Sequence, residues 1–451
     1  MKRYEILRRQ ESNARTYASA FPAVFQSGTG IRLRDQSGRE YIDCLACAGA
    51  LPLGHNHPEI RDILMRFLQS DHPHQTLDLT TPAKFEFVQE LFGLLPDTWA
   101  SRAKIQFCSP SGSDAVEAAM KLTRFATRRY PVIAFHGAYH GMTSGALAAM
   151  GNVAAKAGLL AGTGGIHFAP YPYKYRCPFG TDGSDTDELS IEYLRTLLTD
   201  PESGIAKPAA VIVEVVQGEG GCIPASNEWL RELRKLTREH DIPLIVDEVQ
   251  TGFARTGTMF SFEQAGIQPD VLVLSKAVGG GFPLAVIVYD ESLDVWPRGM
   301  HAGTFRGNQI AMVTGKATME ILRRDRFAEH AQQVGAALAQ GLRELARRHP
   351  ELGDVRGRGL MLGVEVVEAR EEGRCPAPAD GALAAAIRSA ALGNGLLIET
   401  GGRCGAVIRF LPPLILTLAD VGQILDRLDT SVTQVKRQRA PAGVAPLAAA
   451  L

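Results

Sequence analysis

Two apolar runs in this chain each deliver an ionisable side chain. Pro243-Leu244-Ile245-Val246 leads into Asp247, and Val271-Leu272-Val273-Leu274-Ser275 leads into Lys276, just ahead of Gly279-Gly280-Gly281. Short β-branched runs bounded by turn residues read as strands buried on both faces. A charge placed directly after such a run is either paired in the interior or set at a functional strand end. In an open parallel sheet the ligand crevice lies outside the carboxyl ends of the strands, so Asp247 and Lys276 are expected to face one pocket. An amine that condenses with an aldehyde, beside a carboxylate that keeps a ring nitrogen protonated, suits pyridoxal 5'-phosphate (PLP), whose ring is an electron sink.

Further candidates lie at the ends of other runs. Ser109-Pro110-Ser111-Gly112-Ser113-Asp114 opens an amphipathic helix with Val116, Ala119, Met120 and Thr123 on successive turns. Its free N–H groups could hold a phosphate on Gly112 and Ser113, although Ser and Asp at a helix start also read as simple caps. The loop Gly137-Ala138-Tyr139-His140-Gly141 follows the run Val132-Ile133-Ala134-Phe135, and an aromatic there could stack on a planar ring. Glu214 ends the run Ala209-Ala210-Val211-Ile212-Val213 and wants a partner. No metal site is expected. His55, His57, His72 and His74 lack carboxylates or thiolates at ligand spacing, and His136 and His140 sit in a glycine-rich loop rather than on a helix. Cys44 and Cys47 form a lone C-x-x-C in an apolar segment, which reads as packing.

The elements that must position these residues follow from the rest of the chain. Its 451 residues exceed what a single hydrophobic core usually serves, so a large domain with a smaller companion is expected. A 45% hydrophobic fraction, 22% charged residues and a net charge of -1 describe a soluble globular protein without the basic excess that nucleic acid requires. With a charged start and no long apolar run, neither a standard secretory signal nor a membrane span is expected. Seven scattered cysteines point to free thiols in a reducing cytoplasm.

Residues 1–30 are polar and helix-tolerant. Residues 31–43 alternate about a turn and read as a hairpin, 82–95 as a helix and 104–108 as a strand. An amphipathic helix over 228–240 leads into the Asp247 strand, and the β-α-β alternation predicts a mostly parallel, doubly wound sheet. A long charged helix spans 308–348. Residues 353–364 read as a turn into a strand, and from Arg437 the Ala- and Pro-rich sequence predicts a frayed tail.

Taken together, four stretches resemble the class III PLP-dependent aminotransferases: Asp247-Glu248-Val249-Gln250-Thr251-Gly252-Phe253-Ala254-Arg255-Thr256-Gly257, Ser275-Lys276, Gln217-Gly218-Glu219-Gly220-Gly221 and His301-Ala302-Gly303-Thr304-Phe305. The match runs in order from about residue 20 to 430. Three more stretches, around Gly112–Ala118, Phe135–Thr143 and Ile398–Pro413, resemble members that make L-2,4-diaminobutanoate.

The resemblance implies an α/β protein of PLP-dependent transferase fold type I. Residues 54–320 would form the large domain with its mostly parallel doubly wound sheet, residues 1–53 and 321–436 a smaller α+β domain, and 437–451 a flexible tail. It implies a homodimer with shared active sites. Lys276 would be the Schiff-base lysine and proton shuttle, and Asp247 the partner of the pyridine nitrogen. Gln250 would bond the ring hydroxyl, and Tyr139 would stack on the ring with His140 beside it. Gly112 and Ser113 would hold the phosphate, completed by Thr304 of the other subunit. Arg409 resembles the family's carboxylate-binding arginine, with Glu214 able to pair with it. Two positions depart from the usual pattern: Asp114 stands where many members have Glu, and Val215 where many have Pro. The implied reaction moves an amino group from L-glutamate to L-aspartate 4-semialdehyde. Alternatives are an ornithine, acetylornithine or 4-aminobutyrate type of ω-aminotransferase, or an aminomutase or racemase.

Overall fold

Apolar runs become strands where both faces are covered, and seven of them pair into one sheet. They are β1 (Ala103–Phe107), β2 (Val132–Phe135), β3 (Ile166–Ala169), β4 (Ala210–Val213), β5 (Leu244–Asp247), β6 (Val271–Leu274) and β7 (Val286–Asp290), in the spatial order β1-β7-β6-β5-β4-β2-β3. The structure, a computed structural model, describes residues 5–158, 164–368 and 376–439, without the Arg8 side chain. From β3 to β6 the neighbours run parallel, and β7 is antiparallel to both β6 and β1. The expected mostly parallel, doubly wound sheet is therefore present.

Every residue of β2, β4, β5, β6 and β7 is buried, as two covered faces demand. Alternate residues serve opposite cores. Ile245, Val271 and Val273 pack with Val116, Ala119 and Met120 of the helix Gly112–Thr127. Leu244, Val246, Leu272 and Leu274 join Trp229, Leu230 and Leu233 of the helix Asn227–Glu239 on the other side.

Several expectations need correction. The polar first thirty residues contain a strand, Phe25–Thr29, which pairs with Arg32–Asp35 of the expected hairpin. Its Phe-Gln-Ser-Gly-Thr sequence is only partly buried, so no apolar run marked it. Leu396–Leu397 joins the same sheet, parallel to Glu40–Asp43, which ties the N-terminal segment to the C-terminal part of the chain. Residues 353–364 form two strands of a hairpin, Leu352–Arg358 with Met361–Val366; the first lies at the sheet edge, where full apolar character is not required. The helix expected over 308–348 is broken into Gln309–Arg324 and Phe327–Arg348, with Arg326 left-handed at φ 53° between them. The last helix, Leu418–Arg439, includes Arg437, so the expected tail is helical at its start, and residues 440–451 lie outside the described residues. Among the described residues no helix is long and apolar enough to cross a membrane, and the six described cysteines are free.

Candidate active site

The parallel strands end along one edge, and that edge gathers the candidate residues. Asp247 closes β5; Lys276 lies two residues past β6; Glu214 follows β4; and Tyr139 and His140 sit in the loop after β2. With Gly112, Ser113 and Gln250 these residues line one cavity of about 200 Å³. Arg409 stands behind its wall, bonded to the lining residues Glu219 and Gln250. Thr304 does not join them. It is exposed and borders a separate, larger recess with Trp296 and Arg306.

Lys276 adopts a left-handed backbone, φ 49°, a conformation that costs a non-glycine residue free energy and is kept only where the surroundings impose it. Burial of its amine lowers the pKa below the usual lysine value, with Glu219 pulling it back up. Asp247 is fixed on both oxygens: Oδ1 accepts the Val249 N–H at 3.1 Å, and Oδ2 lies 2.7 Å from His140 Nδ1. Burial pulls the His140 pKa down, but the hydrogen bond and charge of Asp247 outweigh it and hold the ring's pKa above its usual value.

At the other end of the cavity the helix Gly112–Thr127 presents its N-terminus. Ser113 Oγ accepts the Met142 N–H at 3.0 Å, and Gly141, at φ +130°, allows that approach. A Cβ on Gly141 would fall 2.0 Å from Ser113 Oγ. Asp114 turns away from the cavity. Its Oδ2 accepts the Ser109 N–H at 2.7 Å and faces His301 Nε2 at 3.3 Å and Arg306 Nη2 at 3.5 Å. Burial opposes ionisation of Asp114, yet His301, Ser109 and Arg306 hold its pKa down at about 2. Cys108, Asp114 and His301 are near enough together to ligate an ion, but Arg306 already supplies a cation to that carboxylate.

The expected partnership of Glu214 with Arg409 is replaced by another. Glu214 staples two loops, accepting the Tyr139 N–H at 3.0 Å and the Gly218 N–H at 2.9 Å, so both its oxygens are engaged. Burial raises its pKa to about 7, with His140 opposing the rise. Arg409, fully buried, instead donates from Nη1 to Glu219 Oε1 at 2.7 Å and from Nη2 to Gln250 Oε1 at 2.9 Å. Glu399 adds a second carboxylate, its Oε2 3.4 Å from Arg409 Nη1. Glu219 sits in the Gly-Glu-Gly loop that the sequence marks out, but its role there was not legible; Glu399 lies in a stretch that carries the resemblance but had no role assigned, and its partner Tyr17 carried no signal.

A flat ring with an aldehyde near Lys276, a basic nitrogen at Asp247 and a phosphate at the helix N-terminus satisfies this donor and acceptor set. A Cβ on Gly112 would press to 3.1 Å on Val249 Cγ1, so glycine there lets the helix start pack close against Val249.

The family model for class III aminotransferases matches residues 13–432. A diaminobutyrate--2-oxoglutarate aminotransferase of Rhizobium meliloti (strain 1021) is 52% identical over 436 residues, which cover 96% of this chain and 92% of that protein. One of the same name from Haemophilus influenzae is 46% identical over 424 residues, 94% of this chain and 93% of the other. Among solved structures, an amine transaminase from an uncultivated Pseudomonas species in its PLP-bound form matches with a TM-score of 0.84 at 27% identity, covering 94% of this chain and 98% of that one. An (S)-enantioselective omega-transaminase from Thermomicrobium roseum matches with a TM-score of 0.84 at 28% identity, over 96% and 97% of the two chains.

Proposed function

Because the chain belongs to the class III aminotransferases, we propose that it moves an amino group from L-glutamate to L-aspartate 4-semialdehyde, reversibly yielding 2-oxoglutarate and L-2,4-diaminobutanoate. Its fold is the PLP-dependent transferase fold type I, and its cofactor is pyridoxal 5'-phosphate. When bound, the cofactor supplies the electron sink for the pair left behind as a proton leaves the substrate.

The chain's own residues supply the rest. Lys276 takes the proton from the carbon that bears the transferred nitrogen, Cα of glutamate or C4 of diaminobutanoate, and its lowered pKa favours the neutral amine that a base requires. Asp247, oriented by His140, holds a proton at the ring nitrogen. Gly112, Ser113 and the dipole of their helix would hold the phosphate, Tyr139 would stack on the ring, and the Gln250 amide would bond the ring hydroxyl, all of them lining one cavity. Thr304, exposed in its own chain, completes the phosphate site of a second copy in a homodimer.

The observation that carries the choice of substrates is the Arg409–Glu219 pair behind the cavity wall. An arginine fork can grip the second carboxylate of glutamate in bidentate fashion, and Glu219 neutralises it when a substrate without that group is bound. The names of the relatives from Rhizobium meliloti and Haemophilus influenzae point the same way. Purified enzyme given L-glutamate and L-aspartate 4-semialdehyde should form L-2,4-diaminobutanoate, measured by chromatography. Faster amination of glutamate semialdehyde or succinate semialdehyde would overturn this substrate assignment in favour of an ornithine or 4-aminobutyrate type.

A further inference from the structure

Two buried arginines are exchanged between the same two segments of chain. Arg409, on the strand Val407–Phe410, donates from Nη2 to Gln250 Oε1 on the loop that follows β5. Arg255, further along that loop, reaches back. Its Nη1 donates to the backbone carbonyl of Pro412, just beyond Arg409, and to that of Leu360 at 3.0 Å. The Leu360 N–H in turn donates to Arg255 O at 3.0 Å. Leu360 sits in the turn of the hairpin Leu352–Arg358 with Met361–Val366, whose second strand pairs with the Arg409 strand, Gly363 opposite Arg409. Gly359, at φ +54°, lets this turn come close, since a Cβ there would fall 2.7 Å from Arg255 O.

Arg255 is 2% exposed, only carbonyls accept from it, and no carboxylate among the described residues is paired with it. Burial lowers its pKa to about 10. A buried cation without an anion is costly where an apolar side chain would not be, so its use lies in fixing position rather than in adding stability. The backbone just before it is strained as well. Phe253 at φ 58° and Ala254 at φ 67° are consecutive left-handed residues, and neither is glycine. Such strain persists only where the surroundings over-determine it, and it gathers at functional sites. It lies here between Gln250 at the cavity and Arg255 in the interior. Strand pairing fixes Arg409 within its own sheet, but not that sheet against the loop of Gln250. The carbonyls that Arg255 holds adjoin both the Arg409 strand and its neighbour.

We propose that Arg255 is a positioning residue for substrate recognition: by holding Pro412 and Leu360 it sets the Arg409 fork in register with Gln250 and Glu219, where a glutamate carboxylate is taken up. The inference rests on the reading of Arg409 as the grip on glutamate and adds what keeps that grip in place. Arg255 does not line the cavity, so it acts through Arg409.

The test compares two variants with wild type in single half-reactions: Arg255→Met, which has no donors, and Arg255→Lys, which keeps the charge but is too short to span both carbonyls. For Arg255→Met the L-glutamate concentration at half-maximal rate should rise by about tenfold or more, the worth of one charge-assisted contact, with the rate at saturation little changed. The value for L-2,4-diaminobutanoate should move by less than about threefold. Inhibition by glutarate, which has both carboxylates and no amine, should weaken in parallel with glutamate. Arg255→Lys should fall between wild type and Arg255→Met. Equal losses in both halves for folded Arg255→Met, or a lower urea midpoint with an unmoved ratio of glutamate to diaminobutanoate, would overturn the proposal. Should Arg255→Met not fold, Arg255→Lys must move that ratio in the same direction, and an unmoved ratio again overturns it. Arg409→Ala separates the two levels of the argument. If it fails to distinguish the substrates, the grip assigned to Arg409 falls and this inference with it; a glutamate-specific loss there with none in Arg255→Met sinks this inference alone.

Discussion

His140 Nδ1 stands 2.7 Å from Asp247 Oδ2, with both side chains buried at the carboxyl edge of the central sheet. The imidazole fixes the aim of the carboxylate, and the Val249 N–H fixes its other oxygen. An amide at position 247 keeps the shape but cannot hold a proton on a ring nitrogen. Asp247→Asn should therefore retain cofactor, seen by absorbance, and lose roughly a hundredfold or more in single-turnover rate. Undiminished turnover would remove Asp247 from this role.

Lys276→Ala should abolish turnover while leaving the fold intact by circular dichroism. The left-handed backbone at φ 49° must then be held by alanine, and the neighbours that impose it remain. In wild type, borohydride should fix the cofactor to Lys276, identified by peptide mass. A label on any other lysine would displace the whole assignment.

The replacement of Glu214 by Glu219 as partner of Arg409 changes which variants separate the two half-reactions. Arg409→Ala should damage the glutamate half-reaction by about a hundredfold, since a bidentate, charge-assisted contact is lost, and the diaminobutanoate half-reaction much less. Glu219→Gln should shift preference towards glutamate, because Arg409 then loses its nearer anion and keeps only the longer contact with Glu399 until a carboxylate arrives. Stopped-flow absorbance reads each half separately. Equal losses in both halves for Arg409→Ala would exclude the exchange.

Glu248 follows Asp247 but points into the core, with no exposed surface, accepting the Thr251 hydroxyl at 2.7 Å and the Phe262 N–H at 2.8 Å. Burial raises its pKa from 4.5 to about 7. The folded chain then holds a proton that the unfolded chain has released, so this contribution is fully present below 4.5 and is lost as pH rises towards about 7. Glu214 acts in the same direction. Glu248→Gln should flatten the fall in urea midpoint across that window, and an unchanged slope would show that Glu248 is not what titrates.

Asp247 and Lys276 were legible because an ionisable residue at the end of a buried apolar run has few reasons to be there. The choice between Glu214 and Glu219 was not legible. Both are acids after the same strand, and only the reach of the Arg409 fork and the two N–H groups that occupy Glu214 decide it. Tyr17 and Glu399 lie 382 residues apart in sequence, so no local pattern announces their contact. The break at Arg326 was hidden for a different reason: no glycine or proline marks it, and the charged periodicity runs straight through. The strand Phe25–Thr29 escaped because a half-exposed strand with a polar sequence lacks the alternation that betrays one.

The antiparallel pairing of β1 with β7 sets an order of assembly. Phe107, at the end of the strand that leads into the phosphate-side helix, has its only sheet partner among the described residues in Val286. Contacts so distant along the chain form late, because loop closure costs entropy before the contact returns any free energy. During synthesis the segment through Gly112 must wait, without a partner for β1, until the ribosome has released the residues up to Asp290. Cofactor capture during translation would thus begin only after well over half the protein has emerged, and the onset of PLP retention on stalled nascent chains would date the closure of the sheet.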